Sequence, residues 1–272
     1  MEIIVQKSDD IALIFPFKVN DLIRLGRNAD GGYCITKSSI KNVDLVLALG
    51  IGDDWSFEEE AYKKIKSVNV VGSDFTITKK ILRNLLFKEL LKFLLFKTSF
   101  KNLKEQINFY NRYKSFYGKK AINLEKRVSK KDEGIDITFQ TLLAKYPKYK
   151  NILVKMGLGG DGAEYYTLNT IIRNRDKIPV ACIRLHDCST HHLSFISYLK
   201  KMLEYYHIVH THINNNGGLI NKKPEVYEIT FQRKDLNNIY KNVSNEKVDF
   251  LPLDNDHISN PDKKNIYLRL KD

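Results

Sequence analysis

Apolar residues run unbroken from Leu45 to Leu49, stop at Gly50 and Gly52, and give way to the polar Asp53-Asp54 pair. The run predicts a buried parallel strand, and the segment after it, SFEEEAYKKIKSV, has the spacing of an amphipathic helix. Ser56 is the expected N-cap, with Glu58, Glu59 and Glu60 in the favourable first turn. A second strand, VNVVGSD, ends in Asp74, about 20 residues on, where an acid reaches ribose hydroxyls. Before these elements, residues 1–23 form an apolar lead-in beside the sheet, and Asp30-Gly31-Gly32 marks a tight turn within RLGRNADGGYCI. After them the pattern is helical from Ile81 to about Tyr117, apolar over a wide arc, and reads as an inserted cap or an oligomer face.

AINLEKRVS follows as a short strand and turn, then DITFQTLLAKY as a helix. NILVKM is another buried strand, with GLGGDG and the helix AEYYTLNTIIRN behind it. PVACIRL, a helix near HHLSFISYLKKMLEYY, and HIVHTHI continue the alternation. PEVYEITFQR alternates as a half-exposed antiparallel strand does, and LDNDHISNPDKK reads as a surface excursion. Strands alternating with helices predict an α/β fold: a mostly parallel sheet with helices on both faces and a helical insertion. With no repeat and no linker, the expectation is one domain over 1–272, the insertion lying at about 78–118.

Composition narrows the function classes modestly. The 272 residues are 43% hydrophobic and 28% charged, an ordinary globular balance. A net charge of +13 brings polyanionic substrates, nucleic acid and membrane surfaces into view. The lysines come as scattered pairs such as Lys79-Lys80 and Lys222-Lys223, not as a basic arm, and a lysine- and isoleucine-rich usage also fits an AT-rich genome. Cys34, Cys182 and Cys188 have no metal-ligand spacing, and MEIIVQKSDD lacks the order of a secretory signal, so a cytoplasmic protein is expected. The most apolar stretch, ILRNLLFKELLKFLLFK, is broken by Arg83, Lys88, Glu89 and Lys92, short of the ~20 apolar residues a membrane span needs.

In an open α/β sheet, functional groups gather beyond the strand carboxyl ends. Four such places can be read: Gly50 to Phe57; Asp74-Phe75-Thr76; GLGGDG with Asp161 and Glu164; and His186-Asp187 with His210, His212 and Asn214 to Asn216. Asp53 and Asp54 would repel a pyrophosphate and suit a cationic adenosine ligand, of which S-adenosylmethionine is the common one. GLGGDG also fits the dinucleotide pattern, but a Rossmann unit starting there leaves too few strands after it. His186-Asp187 and the His210/His212 pair suit a divalent metal, or equally a general base with its orienting partner. A metal requirement stays open.

Taken in order, RLGRNADGGYCI, LALGIGDDWSFEEE, GSDFT, ILVKM before a glycine turn, HIVHTHINNN and YEITFQRKD resemble the FkbM-like methyltransferases, from Arg24 to about Asp235. The resemblance implies a class I methyltransferase-like (Rossmann-like) fold and S-adenosylmethionine-dependent O-methylation, leaving S-adenosylhomocysteine. It also implies a small molecule or a sugar hydroxyl as acceptor, in bacteria often within surface-polysaccharide synthesis. Carried over, Gly50, Gly52, Asp54, Ser56 and Phe57 hold the methionine and ribose portions, Asp74 binds ribose hydroxyls, and Phe75 and Thr76 lie beside the adenosine. The chain departs from the family at KMGLGGDGAEYY, where Gly157 stands in place of the first acid of a K-M-D-I-E-G-type segment and Asp161 or Glu164 is left to substitute. An alcohol needs a base to become a nucleophile. His186 is the expected base, Asp187 its orienting group, and His210, His212, Asn214 and Asn215 the grip on substrate. The basic balance fits a phosphate-bearing acceptor such as a nucleotide-activated sugar, a heptose being one candidate. An RNA methyltransferase and a catalytically silent glycan-binding scaffold are the alternatives. Self-association is expected, if anywhere, through the 81–97 helix.

Overall fold

The computed structural model describes residues 2–6, 9–159, 162–253 and 258–270. Seven strands form the central sheet: β1 (Leu45–Leu49), β2 (Asn69–Ser73), β3 (Ile122–Asn123), β4 (Ile152–Met156), β5 (Val180–Leu185), β6 (Tyr206–Ile213) and β7 (Tyr227–Arg233). Their order across the sheet is β6-β7-β5-β4-β1-β2-β3. All pairings are parallel except those of β7, which runs antiparallel to β5 and β6 on either side. This is the class I methyltransferase-like, Rossmann-like arrangement. The chain reverses its direction of travel across the sheet between β1 and β4, and such a switch point opens a crevice at the carboxyl edge.

Strands buried on both faces must be apolar on both, which is why β1 reads as a continuous run. Leu45, Leu47 and Leu49 pack with Ile152, Val154 and Met156 against α4 (Phe139–Ala144), α5 (Ala163–Arg173) and α6 (His192–Tyr205). Val46 and Leu153 face the other way, into a core with Leu25, Ile35, Phe57 and Ala61. That second layer consists of α1 (Ser56–Lys64) and an antiparallel hairpin in which Leu22–Leu25 pairs with Tyr33–Thr36. The turn at Asp30-Gly31-Gly32 and the extended segments around it are therefore as the sequence predicts.

The strand PEVYEITFQR differs from expectation. β7 is an interior strand, and its polar alternates Glu228, Thr230 and Gln232 are all buried. They are tolerated because neighbours on several elements pair with them: Glu228 accepts from Arg184 and Asn214, Thr230 donates to the Cys34 carbonyl of the hairpin at 2.7 Å, and Gln232 donates to Asn242 at 3.1 Å.

The helical insertion between β2 and β3 is a hairpin of two helices, α2 (Lys79–Leu94) and α3 (Phe100–Tyr117). Thr78 and Ser99 cap them, accepting from the backbone N–H of Ile81 and Asn102. Its base is fixed to α1. Trp55 is fully buried, contacts the rings of Phe109 and Tyr113, and carries the Arg112 guanidinium over its face at 4.7 Å. No helix among the described residues is long and apolar enough to cross a membrane.

Candidate active site

Two adjoining cavities open at the carboxyl edge of β1, β2 and β4. The larger, about 460 Å³, is lined by Gly50, Gly52, Ser73 to Thr76, Lys126 to Val128 and Gly157 to Gly159. The smaller, about 130 Å³, is lined by Arg27, Asp30, Tyr33, the turn from Gly50 to Asp54, Lys155 and Arg184. Gly50, Gly52 and Gly157 belong to both.

The glycine turn has the left-handed backbone its residues favour, with φ of +76° at Gly50 and +63° at Gly52. A Cβ on Gly50 would run into the Gly157 carbonyl, whereas one on Gly52 would meet nothing within 4 Å and project into open space. Asp74 ties this turn to the next. Its Oδ2 accepts from the backbone N–H of Ile51 (2.7 Å) and Gly52 (2.8 Å), and its Oδ1 from the N–H (2.7 Å) and hydroxyl (2.6 Å) of Thr76. Each carboxylate oxygen thus already accepts two hydrogen bonds, so the chain uses Asp74 first to hold two loops. Asn123 completes the arrangement, accepting from the Asp74 N–H at 3.1 Å and donating to the carbonyls of Asp74 and Ile77.

Beneath the turn lies a charge pair that sequence reading absorbed into a buried strand. Lys155 is 4% exposed and Glu58 fully buried. The Lys155 ammonium donates to the Gly50 carbonyl at 3.0 Å and stands 3.3 Å from Glu58 Oε1, a charge contact and not a second hydrogen bond. Burial pushes the Glu58 carboxyl above its ordinary value, and Lys155 opposes that rise. The available signal was a lysine inside an otherwise apolar run, ILVKM. Lys126 and Arg127 were also missed as site residues. They reach the large cavity because the two-residue β3 pairs with Val71 and Gly72, and the Arg127 guanidinium lies 5.5 Å from the Phe75 ring centre.

Several predicted site residues sit elsewhere. Phe57 is fully buried and packs edge-on against Tyr33 at 5.7 Å, so it is core and lines neither cavity. Ser56 is not the helix cap: it is the first helical residue, and Asp54 Oδ1 accepts its N–H at 3.0 Å. Asp54 lines the smaller cavity and pairs with Arg27 at 2.9 Å.

The orienting group of His186 is Glu164, whose Oε1 lies 3.1 Å from His186 Nδ1 and accepts its backbone N–H at 3.3 Å. Glu164 is fully buried at the start of α5, and its neighbour Tyr165 donates to the His186 carbonyl at 2.8 Å. Asp187 instead takes a left-handed φ of +54°, turning the chain after β5 so that its carbonyl accepts from His191. No bond from its side chain to His186 is present among the described residues. His186 itself lines neither cavity. Asp161 lies outside the described residues.

The predicted substrate grip is structural in large part. His210 and His212 are buried in β6, and His212 Nε2 meets the Ser259 hydroxyl at 2.7 Å. Asn215 clamps the backbone of Asn260 in both directions at 2.8 Å. Asn214 donates to Glu228 (2.8 Å), which also accepts from Arg184 Nε (2.9 Å), and Asp30 pairs with the same guanidinium. These polar ends of β6 hold the C-terminal segment and the hairpin in place instead of facing the cavities. No group of three His, Cys, Asp or Glu placed to hold a metal occurs among the described residues.

No protein-family model and no curated protein matches the sequence. Among solved structures, the spermidine synthase of Thermotoga maritima aligns at 12% identity over 83% of this chain and 77% of its own, with a TM-score of 0.41. The Methanococcus jannaschii fibrillarin pre-rRNA processing protein aligns at 11% identity over 72% and 69%, TM-score 0.37. The precorrin-6Y C5,15-methyltransferase of Geobacter metallireducens aligns at 12% identity over 72% and 84%, TM-score 0.36. These likenesses are distant, and the assignment of the fold rests on the strand order and pairing directions of the seven-stranded sheet.

Proposed function

We propose that this chain is an S-adenosylmethionine-dependent O-methyltransferase of the FkbM-like kind, acting on a hydroxyl of a phosphate-bearing sugar. The observation that carries the reading is the pair of joined cavities at the switch point. The larger is of a size for an adenosine, a ligand site typically spanning about 300–1,000 Å³. The smaller sets Asp30, Asp53 and Asp54 among Arg27, Lys155 and Arg184. A mixed lining of that kind suits a ligand ending in both an ammonium and a carboxylate, and suits a pyrophosphate poorly. Gly52 leaves the backbone open to close approach, Phe75 and Thr76 flank the adenosine side, and Asp74 holds the turn that receives it.

The bound cofactor would supply a methyl group made electrophilic by a sulfonium. The chain's own part is to fix the two reactants in line and to take the hydroxyl proton. His186, held by Glu164, is the group for that proton, and Lys126 and Arg127 at the cavity rim suit the phosphates of an acceptor. Nucleotide-activated sugars, a heptose among them, fit this class, as does a cytoplasmic setting. A second reading is favoured by Gly157 and by the position of His186 off both cavities: a fold that binds its ligand without turnover.

Calorimetric titration with S-adenosylmethionine and S-adenosylhomocysteine tests the proposal, with Gly52→Asn as the control, since Asn tolerates the left-handed backbone there and its side chain would project into open space. Micromolar binding lost in Gly52→Asn, with the fold kept by melting, supports the cofactor and its place. Absence of binding to both ligands sinks the methyltransferase reading. Binding without methyl transfer to any phosphorylated sugar selects the silent fold.

A further inference from the structure

The helical hairpin of α2 and α3 has two unlike halves. The half near the sheet is packed on Trp55 and α1, with Leu82, Tyr113 and Phe116 buried. The far half buries Leu103 but leaves other apolar residues in solvent: Phe87 is 59% exposed, Leu94 and Leu95 63% each, Phe100 65% and Phe96 96%. Phe96 is held there with φ of +56°, a backbone conformation side-chain-bearing residues rarely adopt. With 16 residues at 1.5 Å each, α2 carries this tip about 24 Å along its axis from Thr78, which follows the cavity residue Thr76. A contiguous exposed cluster of Leu and Phe marks an interaction surface.

Its charge identifies the partner. Between Lys79 and Lys114 the chain has ten basic residues and two acidic ones, Glu89 and Glu105. Lys88, Lys92, Lys97 and Lys101 border the exposed apolar tip, all of them exposed. A second copy of the chain meeting this tip about a twofold axis would set lysines against lysines. A surface that is apolar within and anionic at its boundary satisfies both features at once. We propose that the tip of the α2–α3 hairpin docks on an anionic phospholipid bilayer, its Leu and Phe side chains entering the headgroup boundary and its lysines lying among the phosphates. The proposal is independent of the methyl-transfer reading.

Flotation of the full chain with vesicles of phosphatidylcholine, alone or mixed with phosphatidylglycerol, tests it. The chain is expected to float with the anionic vesicles, weakly with the neutral ones, and less as salt rises. Leu95→Ser with Phe96→Ser should lower the partition coefficient roughly 100-fold. Lys88→Glu with Lys97→Glu and Lys101→Glu should lower it at least ~10-fold. All five residues are exposed, so thermal melts of both variants should match the parent. Failure to float with anionic vesicles, or flotation of the Leu95/Phe96 variant equal to the parent, overturns the proposal. So does light scattering that shows a dimer split by Phe96→Ser without vesicle binding, or RNA binding lost with the lysines in its place.

Discussion

Replacing Lys155 by Met tests whether the buried pair under the glycine turn stabilises the fold or only occupies it. With the charges 3.3 Å apart and an effective dielectric near 20, the Coulomb attraction is about 5 kcal/mol before desolvation is subtracted. Removing one partner leaves Glu58 buried with no counter-charge and the Gly50 carbonyl without its donor, so the variant should lose about 3–5 kcal/mol. For a chain of this size that lowers the melting temperature by roughly 10 °C. The pH dependence has a definite sign. A carboxyl whose value is raised in the folded state binds its proton more tightly there than in the unfolded chain. The folded state is therefore favoured below the ordinary value of 4.5 and loses that advantage as pH rises through the raised one. Without Lys155 the carboxyl's value is raised further and the loss runs over a wider pH range, so the deficit of Lys155→Met should be small in acid and grow as pH rises. Urea unfolding of parent, Lys155→Met, Glu58→Gln and the double variant, each at acid and neutral pH, completes the cycle. The double variant should recover much of the loss. A Lys155→Met deficit under about 1 kcal/mol, or one that does not vary with pH, would refute the account of Glu58 as a carboxylate held by its neighbour.

Other expectations follow from the same geometry. Asp74→Ala frees three backbone N–H groups and a hydroxyl, and should cost about 3 kcal/mol in thermal unfolding as well as abolishing cofactor binding by calorimetry. Gly50→Ala should be far more damaging to folded yield than Gly52→Ala, because only the first drives a methyl into the Gly157 carbonyl; equal effects would contradict the described turn. Glu164→Gln should lower turnover by about 10–100-fold with KM nearly unchanged, and Asp187→Asn should have little effect. A larger loss from Asp187→Asn than from Glu164→Gln would return the orienting role to Asp187.

The elements that could be read from sequence are those whose environment is uniform along the strand. Leu45–Leu49 and Ile152–Met156 are buried on both faces and show it in every residue. β7 was misread because alternation of apolar and polar residues signals two different surroundings without saying what they are. Here the polar side meets the Cys34 carbonyl and Thr36 hydroxyl of the hairpin, the amides of Asn214 and Asn242 and the Arg184 guanidinium of β5 instead of water. The division of the insertion into two helices was present locally, in Ser99 ahead of α3, but is masked by apolar residues continuing through the break at Leu95 and Phe96. At the candidate site, the glycine turn is legible because it directly follows its strand, whereas the tie from Asp74 back to Ile51 and Gly52 has no local signature. Glu164 and His186 are 22 positions apart, and Arg127 comes beside Phe75 only through a short parallel pairing, so neither relation has a local signature.

The place of β7 sets a timetable for synthesis. β5 and β6 are complete by Ile213, yet β6 joins the sheet only through β7, which lies between them and ends at Arg233. While the chain emerges from the ribosome, β1 to β5 can assemble in the order they are made, but the outer edge of β5 and the whole of β6 wait with unpaired amides. Hydrophobic strand edges left open in this way are where nascent chains aggregate. The last strand to be translated in the sheet is thus the one that closes it, and a ribosome stalled shortly before Tyr227 would display a sticky, five-stranded fragment to the cell's chaperones.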